Sequence, residues 1–132
     1  DAFDASKKMI EIASLETKVN WWVADFKSFR AAKQYDGIWA NFSLLHAPKK
    51  EIFQLIRTIF KSLKPHGLFS LGLKLGTGEK RDKIGRQYSY FEEHEIRHIL
   101  LKEEFYPISH HLGEAKGLDG ESAKFIIILS HA

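Results

Sequence analysis

The chain has 132 residues, of which 44% are hydrophobic and 28% charged, with a net charge of +3 and no cysteine. These are ordinary globular values that exclude intrinsic disorder, and the lack of cysteine excludes disulfides and thiolate metal sites and fits a reducing, cytoplasmic compartment. No apolar run approaches the roughly 20 residues of a membrane span, and the basic residues are spread along the chain, so neither a membrane nor nucleic acid is an expected partner.

Strand and helix periodicities alternate along the whole sequence, which is the mark of an α/β crossover fold with a largely parallel sheet. Asp1 to Asp4 reads as a short apolar strand ending in an acid. Ser6 then caps a helix with Met9, Ile10, Ile12 and Ala13 on one side, where a methionine ordinarily fills core. Val19 to Phe26 is an extended run with β-branched and aromatic residues that again carries an acid, Asp25, at its end; of its alternating Trp21 and Trp22 one is expected in the core. Tyr35 to Ala40 is a third strand. Pro48 opens a helix reaching about Leu63, with apolar residues repeating at three and four, and Lys64-Pro65-His66-Gly67 stops it.

Leu68 to Leu73 reads as a buried strand, and Lys74 to Tyr90 as a glycine-bearing loop too polar for the core. Glu92 to Glu103 is helical, Phe105 to His111 extended, Gly113 to Ser122 a polar connector and Phe125 to Ser130 a last apolar strand. With no helical signal between them, the final two strands are expected to pair antiparallel as a hairpin at the sheet edge. His110 and His111 are neighbours on a strand, point to opposite faces and cannot chelate one metal ion. The whole chain is expected to form a single domain.

Several residues invite a chemical reading. An acid at a strand tip, such as Asp4, can accept from the two hydroxyls of a ribose, although the same acid can simply serve the start of a helix. His46 follows the third strand at the sheet end where open α/β folds bind ligands; an imidazole there can accept a proton near neutrality, or can precede the Pro48 helix and do no more. Asn41 can donate to a ligand or satisfy turn backbone. Arg86, Tyr88 and Tyr90 put a guanidinium and two phenols on one loop, a set suited to an anionic or aromatic molecule.

In this order the segments Asp4-Ala5-Ser6-Lys7-Lys8-Met9-Ile10, Ala24-Asp25-Phe26, Tyr35-Asp36-Gly37-Ile38-Trp39-Ala40 with Phe42-Ser43-Leu44-Leu45-His46, Leu63-Lys64-Pro65-His66-Gly67 and Gly85-Arg86-Gln87-Tyr88-Ser89-Tyr90-Phe91 resemble the class I S-adenosylmethionine-dependent methyltransferases. The likeness is to their small-molecule branch, which includes the tellurite-resistance type. It implies a Rossmann-like sheet with helices on both faces and a C-terminal antiparallel hairpin. It further implies S-adenosyl-L-methionine as cofactor and a small-molecule acceptor. Among residues, it implies that Asp4 with Ala5 meets the ribose, that Asp25 and Phe26 meet the adenine with Met9 at its edge, and that Asn41 lies on the cofactor side. His46 is then the candidate catalytic base, and Arg86 and Tyr88 face the acceptor.

The sequence departs from the family at His66, where glycine is commoner, and in having no glycine-rich turn ahead of Asp4. The expectation is therefore of a domain without its first strand-helix unit, needing upstream sequence for full cofactor binding. A slot would open in the middle of its sheet, to be closed by a strand shift or by a second copy in a homodimer. Two other readings stand beside it: a non-catalytic remnant acting as a binding or oligomerisation module through the vacant sheet slot, and a nicotinamide-binding fragment, which shares the strand-tip acid.

Overall fold

The computed structural model describes residues 1–31 and 33–132. The chain divides into two compact units, Asp1–Ala31 and Ala32–Ala132.

In the first unit, β1 (Ala2–Asp4) and β2 (Trp21–Val23) pair in parallel, with Asp4 opposite Val23, and α1 (Lys7–Ala13) makes the crossover between them. Ser6 caps α1 as its sequence suggests, its hydroxyl accepting from Met9 N–H at 3.3 Å. Aromatic rings hold the unit: Phe3 stacks on Phe29 at 4.8 Å, with Trp22 at 5.6 Å and Phe26 edge-on at 6.5 Å. Two expectations fail here. Neither Trp21 nor Trp22 is fully buried, and Met9 is 54% exposed rather than filling a core, because α1 buries no residue at all. The extended run is also shorter than its β-branched character suggests, since Asp25 turns the chain after Val23: Phe29 N–H donates to Asp25 C=O at 3.0 Å.

The second unit is built on a four-stranded sheet of order β3-β4-β8-β7, where β3 is Tyr35–Asn41, β4 Leu63–Lys74, β7 Tyr106–Lys116 and β8 Ser122–His131. The β3–β4 pair is parallel, and β8 runs antiparallel to both β4 and β7, so the C-terminal hairpin forms as expected. Between β3 and β4, Pro48 leads through a 3-10 turn (Lys49–Glu51) into α2 (Ile52–Lys61). Ahead of β7, α3 (Glu93–Lys102) starts with a reciprocal capping box between Glu92 and Glu95 and ends at Glu104, which takes the left-handed φ of 63° usual after a helix.

The core lies on one face of this sheet. Alternate residues of β4 and β8, namely Phe69, Leu71, Leu73, Ile126 and Ile128, are at most 1% exposed, as are Ile52 and Ile56 of α2 and Ile96 and Leu100 of α3. Phe105 joins sheet to helix, 4.9 Å from the Phe69 ring and 5.3 Å from Phe60. Glu103, 6% exposed, is held there by Arg57, whose Nε and Nη2 each donate to one carboxylate oxygen at 2.8 Å.

Three sequence boundaries are corrected. The stretch from Lys74 to Tyr90 is not loop alone: β5 (Glu79–Arg81) and β6 (Gln87–Ser89) form an antiparallel hairpin whose turn contains Gly85 at a φ of 84°. The supposed connector from Gly113 continues β7 to Lys116, leaving a tight turn over 117–121. Backbone pairing of β4 begins at Leu63, ahead of the Lys64–Gly67 turn, and resumes with Gly37 at Leu68; within the turn His66 sits at φ 62°, the left-handed conformation that explains why glycine is the easier residue there. Replacing Phe105 by alanine should lower stability by about 3–5 kcal/mol, read from urea unfolding, because the cavity would open between sheet and helix with no polar group to wet it.

Candidate active site

Asp4 closes β1 and Asp25 lies two residues past the end of β2, so the two acids stand at the carboxyl ends of neighbouring parallel strands. Both are engaged locally. Asp4 Oδ1 accepts from Ser6 N–H at 2.7 Å, its one hydrogen bond among the described residues. Asp25 Oδ1 accepts from Ser28 N–H at 2.7 Å, and hydrogen bonds from Ser28 hold its carboxyl below the usual aspartate value. The side chains of Ala5 and Met9 are exposed beside them, and Phe26 is half-buried against Phe3.

In the second unit the carboxyl ends of β3, β4 and β7 meet the start of β8 and enclose a cleft of about 440 Å³. Its walls include Phe42, His46, Lys74, Arg86, Tyr88 and Phe125. The chain leaves β3 through Phe42, a non-glycine residue at φ 59°, with its N–H on Gly72 C=O at 2.9 Å. Strain of that kind is kept only where the surroundings impose it, and it sets the Phe42 ring edge-to-face on Phe125 at 5.4 Å. Asn41, one residue earlier, accepts from the Ser70 hydroxyl through Oδ1 at 3.0 Å, which leaves its amide N–H groups as donors.

A 3-10 turn, Leu44–His46, buries Leu44 and Leu45 and leaves His46 exposed. His46 Nδ1 is 2.7 Å from Gln87 C=O. A carbonyl can only accept, so Nδ1 carries the proton and the neutral ring offers Nε2 as a lone pair. The ring packs against Tyr88 at 4.7 Å.

Tyr88 is 4% exposed, which corrects the expectation that Lys74 to Tyr90 is too polar for the core: the β5–β6 hairpin inserts it between charged neighbours. Lys74 Nζ lies 4.1 Å from its ring centroid and the Arg86 guanidinium 5.3 Å. Burial raises the Tyr88 phenol, so it stays a neutral donor, and it makes no hydrogen bond among the described residues. Arg86 Nε donates to Asp82 Oδ2 at 2.8 Å. Its Nη2 reaches the same oxygen at 2.7 Å but without hydrogen-bond alignment, so that nitrogen is buried and unsatisfied. Burial pushes the Asp82 carboxyl up, but bonds from Arg86 outweigh it and keep the group below its usual value.

Sequence reading missed Lys74, Phe125 and the hairpin residues Lys116 and Leu118. The available signal was positional: Lys74 is the first polar residue past an apolar parallel strand, where open sheets bind ligands. Of the expected site residues, Asp4, Ala5, Met9, Asp25 and Phe26 lie in the first unit and Asn41, His46, Arg86 and Tyr88 in the second.

The fold is thus a Rossmann-like α/β one with ligand groups gathered at strand carboxyl ends. A family described as a methyltransferase domain matches residues 1–67, half of the chain, and the chain belongs to that family. Membership decides between the two nucleotide-binding folds that the strand-tip acid left open. No curated protein matches the sequence. Among solved structures, a SAM-dependent methyltransferase from Methanosarcina mazei is similar with a TM-score of 0.80 at 16% identity, over 98% of this chain and 79% of that one. The 1,6-didemethyltoxoflavin-N1-methyltransferase of Burkholderia thailandensis, solved with 1,6-didemethyltoxoflavin and S-adenosylhomocysteine bound, gives 0.77 at 18% identity, over 98% of this chain and 59% of that one. TehB from Haemophilus influenzae gives 0.74 at 12%, over 98% of this chain and 48% of that one. The shared fold is that of the class I methyltransferases. Among the described residues no helix is long and apolar enough to cross a membrane.

The hairpin that carries Tyr88 is pinned by Glu79, whose Oε1 accepts from Lys49 N–H at 2.7 Å and lies 3.1 Å from the Ser89 hydroxyl. Those bonds, Lys49 N–H foremost, hold Glu79 below its usual 4.5. The unfolded chain therefore takes up this proton first as the solution is acidified, and the stabilisation present above 4.5 is lost as pH falls through the lower folded value. Thermal melts taken down through this range should show the parent chain losing stability and Glu79→Gln losing less over the same interval.

Proposed function

We propose that this chain is the part of an S-adenosyl-L-methionine-dependent methyltransferase that holds adenosine on Asp4 and Asp25 and receives a small-molecule acceptor in the cleft beside His46. The family match over residues 1–67 carries the reading, because it spans both strand-tip acids and His46. The bound S-adenosylhomocysteine named for the Burkholderia enzyme supports the cofactor class.

The residues present fit such a cofactor. Asp4 has spent one carboxylate oxygen on Ser6 N–H, which orients the group and leaves acceptor capacity for vicinal ribose hydroxyls. Asp25 is suited to accept from an adenine amino group, with the Phe26 ring beside it and Ala5 and Met9 as small and apolar neighbours. Asn41 has amide donors left for a polar group. The cofactor, when bound, supplies an electrophilic methyl on sulfonium sulfur. What the protein then has to do is align the acceptor, exclude water and take up a proton. His46 Nε2 is the group for the last task, its ring being held by Gln87 C=O and Tyr88.

Calorimetry with S-adenosylhomocysteine tests the cofactor half: Asp4→Ala should weaken binding tenfold or more, the size of a lost charge-assisted hydrogen bond, and unchanged binding removes Asp4 from the site. For the acceptor half, labelled-methyl transfer measured across a panel of small molecules should fall for His46→Gln, with the acid limb of the pH profile flattened. An unaltered profile would assign the base to another group.

A further inference from the structure

We infer that the cleft of the second unit is built for an aromatic acid, a flat apolar body carrying one anionic group. This specifies the acceptor class of the function proposed above and rests on that reading only for what becomes of the ligand, not for its binding.

The charge of the walls sets the sign. Lys74, Arg86 and Lys116 line the cleft, and no aspartate or glutamate does. Arg86 is already matched by Asp82. Lys74 and Lys116 form no ion pair among the described residues, and what Lys74 touches is the Tyr88 ring. Asp119 is the carboxylate nearest this end of the hairpin: a side chain built at Gly117 would meet its Oδ1 at 2.8 Å and Lys74 Nζ at 3.4 Å. Asp119 lines only the neighbouring cleft, whereas Lys74 lines both, and the Asp119 Oδ1 already accepts from Glu121 N–H at 3.1 Å. Two cations with no carboxylate beside them in this lining, and the buried Tyr88 phenol on the same wall, suit an anionic group.

The shape sets the body of the ligand. Phe42 and Phe125 form an edge-to-face panel, Tyr88 and His46 a second aromatic pair, and Leu118 stands 86% exposed at the rim. An exposed leucine on a tight turn has no structural duty within the fold, and an apolar ligand beneath it would cover it. A volume of about 440 Å³ falls in the range of sites that enclose one drug-sized molecule.

The adjacent cleft of about 670 Å³ is the contrasting case. It holds Lys74, Lys80, Arg81, Lys83 and Lys124, but Asp82, Asp119 and Glu121 are interleaved with them and Lys83 is paired with Glu121, so carboxylates there compete with any anionic ligand.

The test uses naphthalene-2-carboxylate and its neutral isostere 2-naphthamide, titrated into the chain by calorimetry, with cyclohexanecarboxylate as the non-aromatic acid. The carboxylate should bind at least tenfold more tightly than the amide and than the cyclohexane acid. Lys74→Met and Lys116→Met should each bring carboxylate affinity down towards that of the amide while leaving the amide unchanged. Lys116 is exposed, so its variant will fold even if Lys74→Met does not. Equal affinity for acid and amide, no binding of either, or indifference of the acid to Lys116→Met would overturn the proposal. S-adenosylhomocysteine is titrated in parallel. S-adenosylhomocysteine binding that Asp4→Ala leaves unchanged, beside the expected naphthoate pattern, would sink the proposed cofactor site and leave the cleft assignment standing, whereas absence of naphthoate binding would sink the cleft assignment alone.

Discussion

Strand β4 is the constraint on which the second unit depends. It is paired on both sides, parallel to β3 and antiparallel to β8, so its backbone groups are satisfied only if both neighbours hold register. Its side chains then alternate without choice: Phe69, Leu71 and Leu73 go into the core, and Ser70 and Gly72 to the other face. Gly72 has to be small, because a Cβ there would lie 3.0 Å from the Asn41 backbone. That close approach lets β3 end beside β4 and turn sharply at Phe42, and it is this turn that places the ring of Phe42 and the imidazole of His46 at the mouth of the cleft.

The cleft is consequently a product of sheet topology more than of any one motif. Because β3, β4 and β7 run the same way, their carboxyl ends lie together, and residues from positions 42 to 125 are brought onto one rim. Each strand end contributes a different chemistry. β3 supplies the strained aromatic turn, β4 the Lys74 ammonium and β7 the Lys116 ammonium with the glycine that follows. The β5–β6 hairpin, fastened by Glu79 to Lys49 and by Arg86 to Asp82, brings in the buried phenol.

The first unit obeys the same logic on a smaller scale. Two short parallel strands and a capped crossover helix put two carboxylates at one end, with phenylalanine rings beneath them in place of a helix-covered core. Both acids also do local work, at the start of α1 and in the turn after β2. Local capping fixes the carboxylate direction, which makes it compatible with holding a ligand.

Residue order alone determined the alternation of strands and helices, the Ser6 cap, the Pro48-led helix and the C-terminal hairpin, because each rests on local periodicity or on a residue whose backbone preference is intrinsic. It also singled out Asp4, Asp25, His46, Arg86 and Tyr88 as candidates, through short segments whose order matters more than their spacing in space. What it could not specify was burial. Met9 has an apolar neighbourhood along the helix yet faces solvent, and Tyr88 lies in a polar stretch yet is enclosed, because exposure is set by what packs from elsewhere in the chain. Lys74, Lys116 and Phe125 are far apart in sequence and carry no motif. Only the pairing of β4, β7 and β8 decided that they share a wall, since strand register is a long-range property no local pattern encodes.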